Sequence, residues 1–594
     1  MTSFKEKLAL LRAGLKEKKI DAYIIPSTDP HLGEYIPDHW RIIAWLTGFT
    51  GSSATVVVTE SFAGLWTDSR YYAQAEVQLR DSGFELMRPA SPDKTDFIWW
   101  IAENIDTGSK IALDGRIFSI EQIRKLKKTL DDKTVSFNFD CDLISVLWID
   151  RPPMPGSHAF DHSTLYCGKE RSVKIAEVRE KMKIRGVDYH LLTSTDDIMW
   201  LLNIRGKDVK YSPLLTSFLI AGEEQIMLFT DENKIPLKLA SEFDKLGIVM
   251  LPYEETAAIL SALSPDSKIL INSYTTSYTL FNSIPEGMKI IEDLTIPTCL
   301  KTVKNGVEIE NIGKVMVKDG VALTRFFYWL ERYSGSEPIS ELSLADKLND
   351  LRSEQENYLG PSFSTIAAYN KHGALPHYSV TPESDFILET DGILLLDSGG
   401  QYLDGTTDIT RTIAIGEPTA QQKRDFTYVM KGTINLALAK FPAGTKGYQL
   451  DILARKALWE NGLNYGHGTG HGVGFCLNVH EGPQNIGIGS GSAIIIKPGM
   501  LISDEPAIYR EGEYGIRIEN LILCYEDEET EFGHFLKFDT LSLCYIDKSL
   551  IDIFLLDQRE IGWLNSYHEE VYEKLNTFLT AAEKNWLKEK TEPL

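Results

Sequence analysis

The 594-residue sequence predicts an α/β (α+β) protein, with two α/β modules of about 150 residues each and a larger mixed domain of about 290 behind them. Three observations carry this expectation. First, the proline-rich stretch Arg151-Pro-Pro-Met-Pro-Gly156 reads as a linker, and a weaker boundary falls between Pro297 and Gly306. Second, the two leading segments share a local pattern in which a lysine-rich amphipathic helix precedes an apolar run. Ile20-Asp-Ala-Tyr-Ile-Ile-Pro-Ser-Thr-Asp29 in the first matches Val187-Asp-Tyr-His-Leu-Leu-Thr-Ser-Thr-Asp196 in the second. Third, the last segment opens on a long helical pattern and becomes strand- and glycine-rich after about residue 360. The expected domains are therefore residues 1–150, 157–300 and 301–594.

Taken in order, the elements have local reasons. Leu8, Leu11 and Leu15 recur at helical spacing near the N-terminus. Arg12 interrupts the apolar stretch there and no small-residue cleavage site follows, so the segment reads as an amphipathic helix rather than a signal peptide. Ala44-Trp-Leu-Thr-Gly-Phe-Thr-Gly51 and Met199-Trp-Leu-Leu-Asn-Ile-Arg-Gly206 read as aromatic strands ending in glycine, so a duplication of the module is plausible. Ile309, Ile312, Met316, Leu323, Phe326, Phe327 and Leu330 repeat on a period near 3.6 and predict a long amphipathic helix. Near the C-terminus, Ser566-x-x-Glu569 reads as a capping box opening a last helix, which Leu575, Leu579 and Trp586 would dock on the body.

Composition narrows the function classes. With 43% hydrophobic and 25% charged residues the chain is an ordinary globular protein. A net charge of −24, spread along the chain, argues against nucleic acid as a partner, because phosphates attract basic patches. No apolar run approaches the roughly 18 residues that span a bilayer, so no membrane partner is expected. The six cysteines form no C-x-x-C pair, and a reducing cytoplasm is the natural compartment. The sequence contains no H-E-x-x-H, no G-x-S-x-G and no P-loop.

Acids and histidines concentrate in four patches of the last segment. Asp397 ends the apolar run Gly392-Ile-Leu-Leu-Leu-Asp397, where a carboxylate has no packing value, and Asp408 begins the next β-rich run. His467-Gly-Thr-Gly-His471-Gly-Val-Gly continues to His480-Glu-Gly-Pro483; Asp504-Glu505-Pro506 follows; Glu519 stands in Gly515-Ile-Arg-Ile-Glu519-Asn. Singly, an acid at a strand end is a solvated turn residue and a lone histidine packs or faces solvent. Glu481 and Asp504 read as such neighbours. Jointly, Asp397, Asp408, His471, Glu505 and Glu519 bring four carboxylates and one imidazole, whose mutual repulsion two divalent cations would cancel. Oxygen-rich ligation with one imidazole suits Mn²⁺, Co²⁺ or Mg²⁺ better than a thiolate-type zinc site. A tight turn at Asp404-Gly405 would pair Asp397 with Thr412, so convergence of the two aspartates calls for a bulge or bend at Gly399-Gly400.

These patches resemble the metallopeptidases that include aminopeptidase P, prolidase and methionine aminopeptidase, built on the pita-bread fold. His467-Gly-Thr-Gly-His-Gly-Val-Gly and Val479-His-Glu-Gly-Pro483 are the most specific matches. The two leading segments resemble paired creatinase-type domains, and Gly562-Trp-Leu-Asn-x-Tyr-His568 resembles the tail of the long aminopeptidase P subgroup. The resemblance implies two metal ions bridged by Asp408 and Glu519, one completed by Asp397 and the other by His471 with Glu505. It also implies an Xaa-Pro aminopeptidase acting on peptides with proline in second place, and a homodimer. Its attacking group would be a metal-bridged hydroxide and its proton shuttle His467. His480 and His377, the latter in Gly373-Ala-Leu-Pro-His377-Tyr378, would contact substrate or the oxyanion. Arg517 would orient Glu519 or a substrate carbonyl. The alternatives are a prolidase restricted to Xaa-Pro dipeptides, the metal-free creatinase reaction, and a non-catalytic peptide or histone binder; the intact five-residue set disfavours the last two.

Overall fold

The protein is described by a computed structural model covering residues 2–68, 70–88 and 96–594. By contacts it divides into two units, Met1–Asp161 with Glu170–Pro297, and His162–Lys169 with Thr298–Leu594.

In the first unit the helix Phe4–Glu17 starts on a Ser3/Glu6 capping box and buries Leu8, Leu11 and Leu15, as their spacing requires. Two six-stranded sheets follow. One runs in the order Glu85–Met87, Ala63–Thr67, Ala54–Thr59, Ala22–Pro26, Lys110–Leu113, Ser136–Asn138. The other runs Ile248–Leu251, Ile226–Phe229, Phe218–Gly222, Tyr189–Leu192, Lys268–Ile271, Lys289–Glu292. Every pairing has the same direction in both, with parallel edges around an antiparallel centre. The two look-alike segments supply the fourth strand of each. The tryptophans of the runs after them lie in helices, Trp45 in Ile42–Thr47 and Trp200 in Thr195–Leu202, while Ile204–Arg205 of the second run is a short strand before Gly206. Gly48 (φ 84°) and Asn203 (φ 49°) are left-handed C-caps that end these two helices.

In the second unit Asn305 and Glu308 form a capping box for the 28-residue helix Gly306–Tyr333. Ile312, Met316, Leu323, Phe326, Phe327 and Leu330 are buried along it, and Ile309 is partly so. They enter one core with Leu396, Ile413, Ile516 and Leu521 from the strands. Ile366–Tyr369, Gly392–Ser398 and Ile409–Ile415 form a three-stranded sheet. A six-stranded sheet has the order Lys440–Pro442, Gly533–Thr540, Asn520–Thr530, Leu501–Asp504, Gly470–Gly472, Glu481–Ile486. The strand-rich stretch is interrupted by the helices Ala420–Ala437 and Gly447–Trp459. Ser566 opens no helix. It lies inside Gln558–Leu575, which starts on an Asp557/Glu560 box, because the buried stripe Leu564, Tyr567, Val571, Leu575 runs straight through it. The last helix, Ala581–Lys590, is capped by Thr580 and Glu583. Leu575 and Trp586 join the core and Leu579 packs against it, as expected.

Candidate metal centre

The strands Gly392–Ser398 and Ile409–Ile415 pair with Asp397 opposite Thr410 and Ser398 opposite Ile409. The same register continues through Gln401 opposite Thr406 and Tyr402 opposite Gly405. The turn is thus Leu403-Asp404, one residue earlier than the sequence suggested, and no bulge is needed. In this register Asp408 falls diagonal to Asp397 on the same face of the ribbon, since side chains repeat every second residue. Gly399 has a separate role: a Cβ there would lie 2.0 Å from the Thr407 carbonyl oxygen, so only glycine lets the two strands approach.

The remaining acids arrive on the larger sheet. Glu505 follows Leu501–Asp504 and its N–H donates to the Thr469 carbonyl (2.8 Å). Glu519 sits between Tyr514–Arg517 and Asn520–Thr530, its N–H donating to the Thr410 carbonyl (3.1 Å) and its carboxylate accepting from Thr410 Oγ1 (2.8 Å). His471 is the middle of Gly470–Gly472. Its Nδ1 donates to the Gly472 carbonyl (2.9 Å), which orients the ring so that Nε2 faces Asp408 (3.4 Å) and Glu505 (3.7 Å).

Three groups of donor atoms result, each within 4.8 Å: Asp397, Asp408 and Glu519; His471, Glu505 and Glu519; Asp408, His471 and His480. Glu519 belongs to the first two groups and Asp408 to the first and third, which is the sharing that two adjacent cations with bridging carboxylates require. The electrostatics fit cations. Asp397 Oδ1 is buried without a hydrogen-bond partner among the described residues. Burial raises the pKa of Asp397 and Glu519, and the neighbouring carboxylates raise them further. Glu505 is likewise pushed up by burial, with His471 and Arg517 opposing. Burial alone would lower the His471 pKa, but the bond to Asp408 and the nearby Glu505 reverse this and hold it at about 9. Without metal such a cluster gathers protons; a pair of divalent ions supplies the same positive charge.

Around this cluster lies a network absent from the sequence reading. Arg517, 3% exposed, donates to Asp397 Oδ2, to Tyr509 Oη (2.6 Å), to Thr410 Oγ1 (3.1 Å) and to the Pro376 carbonyl (3.5 Å). It thus bonds Asp397 directly and reaches Glu519 through Thr410 Oγ1. Tyr509 Oη also meets His467 Nε2 at 2.9 Å, while His467 Nδ1 donates to the Gly468 carbonyl (2.7 Å) and stands 3.8 Å from Glu505. Burial pushes the Tyr509 phenol up to about 12, so it stays protonated and donates to His467. His480 packs edge-on against His471, ring centres 4.3 Å apart. His377 is half-buried in the loop after Asn370–Ala374 and, like His467, belongs to none of the three groups. Glu481 is more than a solvated neighbour: its buried carboxylate pairs with Lys304 (2.5 Å) and Lys301 (3.6 Å) and so anchors the strand that His480 precedes. Tyr509 had one sequence signal, an aromatic four residues after Glu505, but nothing in its spacing assigned it a partner.

Fold and site together define a metallopeptidase. Residues 310–526 match the model of metallopeptidase family M24, and residues 534–594 match the C-terminal region of that peptidase family. Residues 7–139 and 150–308 each match a creatinase/prolidase N-terminal domain. Aminopeptidase P2 of Arabidopsis thaliana is 36% identical over 99% of this chain and 88% of its own length. A probable Xaa-Pro aminopeptidase P of Tuber melanosporum is 36% identical over 99% of both. The crystal structure of the Caenorhabditis elegans X-prolyl aminopeptidase, described as a cytosolic enzyme with a di-nuclear active site, superposes over 100% of both chains with a TM-score of 0.96 at 35% identity. The Xaa-Pro dipeptidase of Bacillus anthracis shares the fold over 63% of this chain at 24% identity. The chain belongs to the Xaa-Pro aminopeptidase P family, with two creatinase-type N-terminal domains and a pita-bread catalytic domain. It is a dinuclear metal-dependent aminopeptidase, and the prolidase alternative is not favoured.

Proposed function

We propose that Asp397, Asp408, His471, Glu505 and Glu519 would hold two Mn²⁺ ions, with Asp408 and Glu519 available to both, and that the protein releases the first residue of peptides with proline in second place. The observation that carries this is the overlap of the three donor groups at Asp408 and Glu519, beside an Asp397 oxygen with no hydrogen-bond partner among the described residues. Ions held there would supply a water of lowered pKa and polarisation of the scissile carbonyl.

The chain's own residues do the rest. Arg517 holds Asp397 in place from the side away from its open oxygen. The departing proline nitrogen must be protonated, and His467 is the group we assign to move that proton, with Tyr509 Oη holding its Nε2. His480 and His377 are assigned to the substrate carbonyl and the oxyanion that develops from it. The boundaries 1–150, 157–300 and 301–594 stand as the proposed domain limits, and the cytoplasm as the proposed compartment, in keeping with the cytosolic C. elegans relative. Among the described residues no helix is long and apolar enough to cross a membrane.

A homodimer is proposed on the helix Gly447–Trp459. Its outer face leaves Tyr448, Ile452 and Trp459 exposed, and Ile495, bridged to Lys446 at its start, extends that apolar surface. The site assignment is tested by metal analysis after Mn²⁺ loading. Two ions per chain are expected in the wild type and in His480→Ala. Loss of one ion in that variant makes His480 a ligand and overturns its assignment to substrate.

A further inference from the structure

The loop that carries His377 is tied to one buried carboxylate. Glu341 is the first residue of the helix Glu341–Ser353 and is fully buried. Its two oxygens accept from four donors. Tyr369 N–H (2.8 Å) lies at the end of Ile366–Tyr369; His372 Nδ1 (2.9 and 3.0 Å) in the turn; Tyr378 Oη (2.8 Å) directly after His377; and Phe386 N–H (3.2 Å) on the returning chain. The carboxylate can only accept from His372, so Nδ1 carries the proton. The His372 ring is clamped between Tyr378 (ring centres 4.4 Å, stacked) and Phe386 (4.1 Å). The returning chain is bound back to the same helix start, with Glu341 N–H on the Phe386 carbonyl (3.0 Å) and Leu342 N–H on Asp385 (3.0 Å).

The other flank of His377 is pinned to the metal centre itself. The Pro376 carbonyl accepts from Arg517, whose guanidinium also holds Asp397. The turn is pressed onto the strand Tyr514–Arg517 so closely that a Cβ on Gly515 would lie 1.7 Å from the Gly373 carbonyl oxygen. Both neighbours of His377 are therefore fixed, Pro376 by Arg517 and Tyr378 by Glu341, while His377 itself is half-buried and carried between them.

We infer that Glu341, acting through His372 and Tyr378, is a positioning residue for His377 and sets where that imidazole meets the substrate. This rests on the reading of His377 as a substrate or oxyanion contact. An acid in this place has no reason from packing, since a helix start can be capped by Ser340 alone, and Ser340 does so through Ser343. Four donors on one carboxylate instead join three chain segments at a single point, and a shift of about 1 Å in a substrate-contacting group can lower turnover roughly 10²-fold.

The test uses metal-loaded full-length enzyme and an Xaa-Pro-Yaa tripeptide. Glu341→Gln, His372→Asn and Tyr378→Phe are measured alone and in a His377→Ala background, with metal content and thermal midpoint recorded. Expected is a fall in kcat of roughly 10- to 10²-fold for Glu341→Gln and at least severalfold for Tyr378→Phe, with two ions retained. In the His377→Ala background none of the three substitutions should lower kcat further. If Glu341→Gln does not fold, His372→Asn and Tyr378→Phe decide alone. The inference is overturned if those variants keep wild-type kcat while His377→Ala loses it, or if their losses are the same with and without His377. Wild-type kcat in His377→Ala removes the role of His377 itself, and the inference with it.

Discussion

Tyr509→Phe removes one oxygen atom from the chain Arg517–Tyr509–His467 and leaves the ring in place. In the folded protein that oxygen accepts from the Arg517 guanidinium at 2.6 Å and donates to His467 Nε2 at 2.9 Å. A hydrogen bond to a charged group is worth about 1.5–3 kcal/mol, and about 1.4 kcal/mol is a factor of ten in rate. Arg517 keeps its bonds to Asp397 and Thr410, so the metal cluster keeps its geometry. The loss therefore falls on the placement of His467. kcat on an Xaa-Pro-Yaa peptide should drop roughly 10- to 10²-fold, with KM changed little and two ions retained. His467→Ala should drop at least as far, and the double variant no further than His467→Ala, because one oxygen acting through one imidazole cannot be counted twice. Steady-state kinetics alongside metal analysis reads all three. Full kcat in Tyr509→Phe, or losses that multiply in the double variant, would refute the relay; loss of metal would move Tyr509 from proton transfer to ligand support.

Three further outcomes follow from the structure. Asp408→Asn takes a charge from the residue shared by two donor groups, so metal content should fall below two ions and activity to near background; full metal occupancy with full activity contradicts the bridging role. His568 is buried, its Nε2 accepts from Ile546 N–H (3.0 Å), and burial first, then Lys548 and Arg411, lower its pKa to about 3. The unfolded chain binds a proton there below about pH 6.5 and the folded one does not. Stability of the wild type should therefore decline by up to ~1.4 kcal/mol per pH unit as pH falls from about 6.5 toward 4, and His568→Gln should show a shallower slope in denaturant unfolding. Trp459→Glu places a charge on the exposed face of the helix Gly447–Trp459 and should shift a homodimer to monomer in sedimentation; an unchanged mass moves the interface elsewhere.

Patterning made some of this legible in advance, and for definite reasons. The helices Phe4–Glu17 and Gly306–Tyr333 announce themselves because each buries one face against a large core, so their apolar spacing is set by the helix period. The four acids and one histidine stand out because carboxylates at the ends of apolar strands lack a packing reason. Other features hide where local and long-range rules compete. Trp45 and Trp200 looked like strand residues, since aromatic runs before glycine fit a strand; the left-handed caps at Gly48 and Asn203 make them helical. The Leu403-Asp404 turn lacks the preferred Asp-Gly at its centre, so the sequence puts the register two residues off and calls for a bulge or bend; the pairing instead keeps one register, with the strands interrupted at Gly399. Tyr509, Glu341 and Glu481 act through partners 42, 31 and 177 residues away, separations that no local pattern encodes.

The most direct test is the release of the first residue from matched Xaa-Pro-Yaa, Xaa-Pro and Xaa-Ala-Yaa peptides by enzyme carrying a measured two Mn²⁺ per chain, before and after chelation. An Xaa-Pro aminopeptidase cleaves Xaa-Pro-Yaa with higher kcat/KM than the Xaa-Pro dipeptide, handles the alanine series poorly because a pocket shaped for the proline ring gains less from it, and stops on chelation until Mn²⁺ is restored. Equal rates on the alanine series, preference for the dipeptide, or activity that survives complete removal of metal would each contradict this.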